Sequence, residues 1–289
     1  MIMNSPRLVS RRCPGGFTLI ELLTVIAIIG VLAGMIMPTL GKAREKANIA
    51  IAKKDLQVII GAINTYNATY GRLPASKRAQ AAIDDSCPDF TFGTVAAPGT
   101  ATALLNGRGG ALPLIQNSES SWNNNNSELV AILSDLSYFR NGVATVNTNS
   151  MLNPQKQNFL DGFHDSDWSR RPLANGLGVG KPSSIGPDGV LRDPWGNAYM
   201  VSLDLNYDSH CRDAYYRLAS VSGGGLNGLR LANAVGPQDT GGDRYEANAS
   251  VMAWSFGPDG LVGKNVGGTY SVTALANEGF NKDNILSWK

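Results

Sequence analysis

The hydrophobic pattern divides the chain into a continuous apolar run, a periodic stripe, a long stretch without pattern, and a final region of short alternations. From Phe17 to Leu40 there are 24 residues, and Glu21 is their only charge. As a helix this run is about 36 Å long, enough to cross a hydrocarbon core of about 30 Å. Downstream, Ile49, Ala52, Leu56, Ile59, Ile63, Tyr66 and Tyr70 recur at alternating intervals of three and four. That stripe predicts that the helix continues and lays one face on a globular domain; three heptads are too few to favour a free coiled coil. Gly71 ends the helix and Pro74 prevents its resumption. A rod from Thr18 to Tyr70 is about 80 Å long. Gly30, Gly34, Pro38 and Gly41 weaken its first half.

Pattern is lost over residues 75–187, where Ala, Gly, Asn and Ser dominate and Asn123–Asn126 form a low-complexity run. Two short helices are predicted, near 78–84 and 127–139, the second with Leu129, Ile132, Leu133 and Leu136 on one side. Alternation returns after residue 188. Asp193-Pro194-Trp195-Gly196 reads as a turn over a core Trp195. The strand that follows puts Tyr199, Val201, Leu203 and Leu205 on one face and Met200, Ser202 and Asp204 on the other. Met252, Trp254 and Phe256 alternate in a second strand, and Thr269 to Leu275 reads as a third. Gly257-Pro258-Asp259-Gly260 between them is a tight turn whose tetrapeptide also occurs at 186–189. The predicted class is α+β: a long N-terminal helix packed on a small antiparallel sheet, with an irregular insertion.

Composition narrows the function classes. A charged fraction of 17% and 33 glycines suit a loop-rich extracellular domain. The formal charge of +2 misleads, because residues 1–16 hold Arg7, Arg11 and Arg12 and no acid; the remainder is near −1. No basic stripe is present, so nucleic acid is not an expected partner. Two histidines, His164 and His210, leave a zinc or triad enzyme almost no residues to work with, and His164-Asp165-Ser166-Asp167 reads as a solvated loop. The chain is not expected to be an enzyme. Asp204, Asn206 and Asp208 imitate half of an EF-hand loop, but Ser209 replaces its glycine and Tyr215 its bidentate acid, so a turn is predicted. Cys87 and Cys211 remain once Cys13 is set aside with the leader; they form a disulfide or two separate buried thiols.

The candidate chemistry lies at the start. Pro14-Gly15-Gly16 breaks any helix just before Phe17. A carboxylate within an apolar run is costly in lipid and calls for a partner. If the chain is cut after Gly16, the new Phe17 amine of a neighbouring subunit supplies one for Glu21. The arginines before Phe17 place the leader in the cytoplasm, although Lys42, Arg44 and Lys46 on the far side oppose that assignment. Ser10-Arg11-Arg12 does not fit a twin-arginine signal, since Pro14-Gly15-Gly16 interrupts the expected apolar continuation.

Gly16-Phe17-Thr18-Leu19-Ile20-Glu21-Leu22-Leu23 resembles the processing site of type IV pilins and type II secretion pseudopilins. The resemblance implies that a prepilin peptidase cuts after Gly16 and methylates Phe17, that Glu21 drives assembly, and that Pro38 is the helix-loosening proline of the family. Tyr66 to Pro74 is similar to the helix-to-loop junction of major pseudopilins, and Leu191 to Tyr199 to their Asp-Pro-Trp-Gly-Asn segment. Ser255 to Gly260, with Asp283, Asn284, Ile285 and Trp288, is similar to their terminal calcium loop. Asp259 and Asp283 match best as ligands for Ca2+, despite the long insert 261–280; acids that merely cap turns are the competing reading.

The implied organisation is a leader (1–16), a transmembrane and assembly helix (17–40), its periplasmic continuation (41–74), a variable insertion (75–187) and a β-rich region (188–289). The implied protein spans the bacterial inner membrane once, with its C-terminal part periplasmic, and polymerises with itself into a helical pseudopilus for type II protein secretion. Its implied partners are the prepilin peptidase, the inner-membrane assembly platform, minor pseudopilins and membrane lipid. Two alternatives are a type IV pilin or minor pilin for adhesion, motility or DNA uptake, and a membrane-anchored glycan-binding module displaying Trp122 and Trp168.

Overall fold

A computed structural model of the chain describes residues 18–81, 83, 88–93, 126–140, 142–165, 184–187, 189–225, 227–233, 242–266, 269–271 and 274–289. The chain divides into two compact units, Met1–Glu45 and Lys46–Lys289. Helix α1, Leu19–Tyr70, has 52 residues divided between the two units, so the apolar run and the stripe form one element as the periodicity predicts.

In the first unit the large apolar side chains of α1 are exposed, from Leu19 at 82% to Val25 at 45%. Among the described residues no single helix is long and apolar enough to cross a membrane; Leu19–Met35 and Leu40–Tyr70 satisfy length and composition together, across a bend. Pro38 lies in that break, and proline is the commonest cause of a sharp helix kink.

In the second unit α1 buries one face. Ala52, Leu56, Ile59, Ile63 and Tyr66 are at most 1% exposed, with Ile49 and Tyr70 at the margins. The helix ends at Gly71, whose φ of +66° lets its N–H reach the Asn67 carbonyl at 2.8 Å. After α2 (Lys77–Ala81) and strand β1 (Phe90–Phe92) comes α3 (Ser127–Leu133), shorter than the predicted 127–139. Asp135 takes a φ of +51°, and the Leu136 N–H bonds back to the Ala131 carbonyl at 2.9 Å. This six-to-one closure ends the helix and leaves Leu136 packing on the core as the hydrophobic contact of the cap.

Short strands β2 (His164–Asp165), β3 (Ser184–Ile185) and β4 (Leu191–Arg192) form one small sheet. The central sheet uses β5 (Met200–Leu203). Helix α4 (Ala219–Ser222) and the hairpin β6 (Arg230–Leu231) and β7 (Tyr245–Glu246) follow it in sequence. Next come β8 (Val251–Ser255), the hairpin β9 (Lys264–Val266) and β10 (Thr269–Ser271), and β11 (Ile285–Leu286). The central sheet has the order β1-β5-β8-β11 with every pair antiparallel; Phe90 faces Leu203, Met200 faces Trp254, and Ile285 faces Ser255.

Strand alternation sorts two cores. Phe90, Phe92, Val201, Leu203, Val251 and Ala253 join the α1 stripe on one face. Met200, Met252 and Trp254 join Cys211, Tyr215 and Tyr216 on the other. The faces predicted for 199–205 and 252–256 therefore hold. Trp195 packs partly buried against the first core. Of the predicted third strand, Thr269–Ser271 is β10 and pairs with β9, residues 272–273 lie outside the described residues, and Ala274 and Leu275 are not in a strand; Ile285–Leu286 takes the edge of the central sheet. A two-residue strand carries too little alternation to be seen in sequence.

Truncating Ile63, which is fully buried between helix and sheet, is expected to lower stability by about 2–5 kcal/mol. A urea titration of the purified chain followed by tryptophan fluorescence should show Ile63→Ala unfolding at lower denaturant, with exposed Lys54→Ala within about 0.5 kcal/mol of wild type.

Candidate functional site

Gly16 and Phe17 lie outside the described residues, and the described chain begins at the next position. The Thr18 N–H and hydroxyl both donate to Glu21 Oε2, at 2.8 and 2.6 Å, and the Glu21 N–H returns a bond to Thr18 Oγ1 at 3.3 Å. This reciprocal arrangement is a capping box. It satisfies two N–H groups that the first turn of a helix leaves open, and it folds the Glu21 carboxylate back toward the helix start, where the helix dipole favours negative charge. Sequence reading singled out Glu21 and missed Thr18, although the Thr-x-x-Glu spacing carried the signal. Pro38 lies inside α1, twenty residues beyond Thr18.

The second group of predicted residues meets in the globular unit. Asp193 is 2% exposed and collects the N–H groups of Trp195 (3.0 Å) and Asn197 (2.8 Å), the Asn197 side-chain amide (3.3 Å) and the Ser255 hydroxyl (2.6 Å). Ser255 Oγ in turn accepts the Gly257 N–H at 3.1 Å. Gly257 has a φ of +69°, and a Cβ there would stand 2.3 Å from the Asp283 carbonyl oxygen. A relay thus joins the Asp193–Asn197 turn to the 255–260 loop, and that loop lies directly on the backbone of Asp283. Burial raises the Asp193 carboxyl to about 6 in spite of its four donors.

Asp259 accepts the Leu261 N–H at 2.8 Å and so caps its own turn. Among the described residues no three His, Cys, Asp or Glu side chains gather in a group that could hold a metal. Gly257 and the Asp283 backbone thus come together with no acidic cage around them among the described residues. The Asp204–Asp208 segment is a turn, as its sequence predicts: Asp204 accepts the N–H groups of Asp208 (3.2 Å) and Ser209 (2.8 Å), and Asp208 that of His210 (2.8 Å). Cys211 is buried and free; Cys87, Trp122 and Trp168 lie outside the described residues.

Two further polar contacts fix the frame. The Tyr199 hydroxyl, in the residue before β5, donates to buried Asp55 of α1 at 2.9 Å, tying the helix to the sheet. Glu246 accepts from buried Arg212 at 3.1 Å and from Arg230 at 2.9 Å, which fastens the β6–β7 hairpin to the segment after β5.

Residues 11–37 match the family described as the prokaryotic N-terminal methylation motif. The chain is also similar to type II secretion system core protein G of several bacteria. It is 32% identical to that of Pseudomonas aeruginosa over 73 residues, 25% of this chain and 51% of that protein. It is 37% identical to that of Klebsiella pneumoniae over 68 residues, 24% of this chain and 49% of that one, and 36% identical to that of Escherichia coli over 63 residues, 22% and 43%. The chain spans about half the length of the curated relatives it matches. No solved structure matches it. Residues 16–23, where the resemblance was read, lie within the matched methylation motif.

The raised Asp193 carboxyl has a pH consequence. The folded chain binds this proton more tightly than the unfolded chain does, so the contribution of Asp193 to stability falls as pH rises from about 4 to about 6, by roughly 1–3 kcal/mol, and is then flat. Thermal melts between pH 4 and 7 should show this slope in the wild type and a reduced slope in Asp193→Asn.

Proposed function

We propose that the chain is a structural subunit of a pseudopilus, processed by a prepilin peptidase and polymerised for type II protein secretion. The observation that carries the reading is the exposed apolar half of α1, headed by a Glu21 already oriented by Thr18. Such a surface needs lipid or other copies of itself to cover it. Before assembly the run lies in the inner membrane with the globular unit on the periplasmic side; after assembly it packs against the same run of neighbouring subunits. Moving an apolar helix from lipid to protein gains little hydrophobic free energy, so packing and polar pairing decide where a subunit docks. Glu21 of one subunit accepts from the methylated Phe17 amine of the next, and each charge relieves the other's cost in a dry environment. Similarity to type II secretion core protein G supports secretion over the adhesive alternatives.

Calcium is a second element of the proposal. Asp259 and Asp283, with nearby backbone carbonyls, would hold Ca2+; the close approach of Gly257 to the Asp283 carbonyl and the hard oxygen donors support this. Bound calcium would supply a cross-link between the two terminal loops. Two carboxylates fit the weak extracellular class of site, with a Kd of about 10⁻⁴–10⁻³ M.

Mass spectrometry of sheared-cell and membrane fractions tests the main reading. It should find a methylated Phe17 at the mature N-terminus, wild type in filaments, and Glu21→Ala retained in membranes. An intact leader, or a mature form that never polymerises with or without Glu21, would overturn it. For calcium, a concentration tenfold above Kd stabilises by about 1.4 kcal/mol, or roughly 3–5 °C in the melting temperature. Asp259→Asn and Asp283→Asn should abolish that rise, and an unchanged wild-type melt would leave these acids as turn caps.

A further inference from the structure

The cations just past the apolar run are unused by the mechanism above. Lys42, Arg44 and Lys46 are all exposed on α1, with Glu45 the one acid among them. The bias that places basic residues on the cytoplasmic side argues against finding them on the opposite, periplasmic side. At 1.5 Å per residue, Lys42 and Lys46 stand about 3 and 9 Å beyond Leu40. The headgroup layer on each side of a bilayer is about 5–8 Å thick, and long basic side chains bend toward it. Lys53 and Lys54 lie about 20 Å beyond Leu40, more than two Debye lengths of about 8 Å, and are too far to share the site.

We propose that Lys42, Arg44 and Lys46 form a collar that binds the phosphates of anionic phospholipid headgroups in the periplasmic leaflet. The distribution around the helix selects lipid over a protein neighbour. At about 100° per residue, Lys42 and Lys46 fall on one side and Arg44 on the opposite one. Before assembly the subunit is single and lipid meets every side of the helix, so all three cations reach headgroups at once. The collar rests on the membrane-subunit reading above. In that reading it holds the unassembled subunit at a fixed depth in the bilayer, and its release accompanies extraction into the filament.

The test reconstitutes the full-length chain into vesicles of phosphatidylcholine alone and of phosphatidylcholine with an equal part of phosphatidylglycerol. Flotation reads insertion, and native mass spectrometry reads the lipids that stay bound. Each cation near an anionic surface contributes about fivefold, so three cations opposed by Glu45 should enrich bound phosphatidylglycerol roughly thirtyfold. The Lys42→Gln/Arg44→Gln/Lys46→Gln variant, which keeps good helix formers, should float equally well and lose the enrichment. So should the wild type in about 1 M salt, where screening is nearly complete. Equal enrichment in variant and wild type overturns the collar. So does a wild type that floats without preference, or one whose Lys46 cross-links to a carboxylate of a second copy; all three leave the membrane reading standing. A wild type that floats with neither vesicle removes both.

Discussion

The apolar half of α1 is left uncovered by the described residues, and that exposed surface is the constraint that any role of the chain must satisfy. Among the described residues, twelve large apolar side chains between Leu19 and Leu40 are exposed, on every side of the helix. An all-round apolar helix belongs in a membrane or in the middle of an assembly. The single carboxylate in it is a polar handle whose direction is set before any partner arrives, because Thr18 holds Glu21 Oε2 through two donors. The second half of the same helix belongs to the core of the globular unit, so in the proposed subunit anchoring and folding use different stretches of one element.

What was legible in the sequence follows from how much chain each feature occupies. The α1 stripe runs for six turns at the helical period, so its buried face could be read residue by residue from Ile49 to Tyr70. Glu21 stands out because one charge interrupts 24 residues. The alternation at 199–205 and 252–256 was long enough to assign both faces. Phe90–Phe92 and Ile285–Leu286, the two edges of the central sheet, are too short to carry a period, and their partners are remote in sequence.

The joints of the globular unit were legible only in part. Asp193 read as a turn residue, and it is one. Its bond to Ser255, 62 positions away, has no local signature. Asn126 is a sharper case. It sits at the end of an asparagine run that reads as featureless, yet its side chain bonds the Leu191 N–H and the Leu191 and Tyr199 carbonyls, bridging β4 and the start of β5. A side-chain amide can imitate a backbone strand edge, and sequence pattern does not distinguish that use from a solvated loop. The asparagine run and the turn motif thus end at one buried junction.

The contact between α1 and the central sheet also determines how the subunit answers to force. In the proposed filament, tension carried along α1 would enter the globular unit through the segment from Ala52 to Tyr66. Over four turns that segment buries Leu56, Ile59 and Ile63 in one core with the strands, so an axial pull would load all three together. A pull perpendicular to the sheet would instead peel them off one by one. The buried bond from Tyr199 to Asp55 sits near the leading edge of this contact, where shear is felt first. The same stripe that gives the domain its core would therefore resist a pull along α1 better than a pull across it.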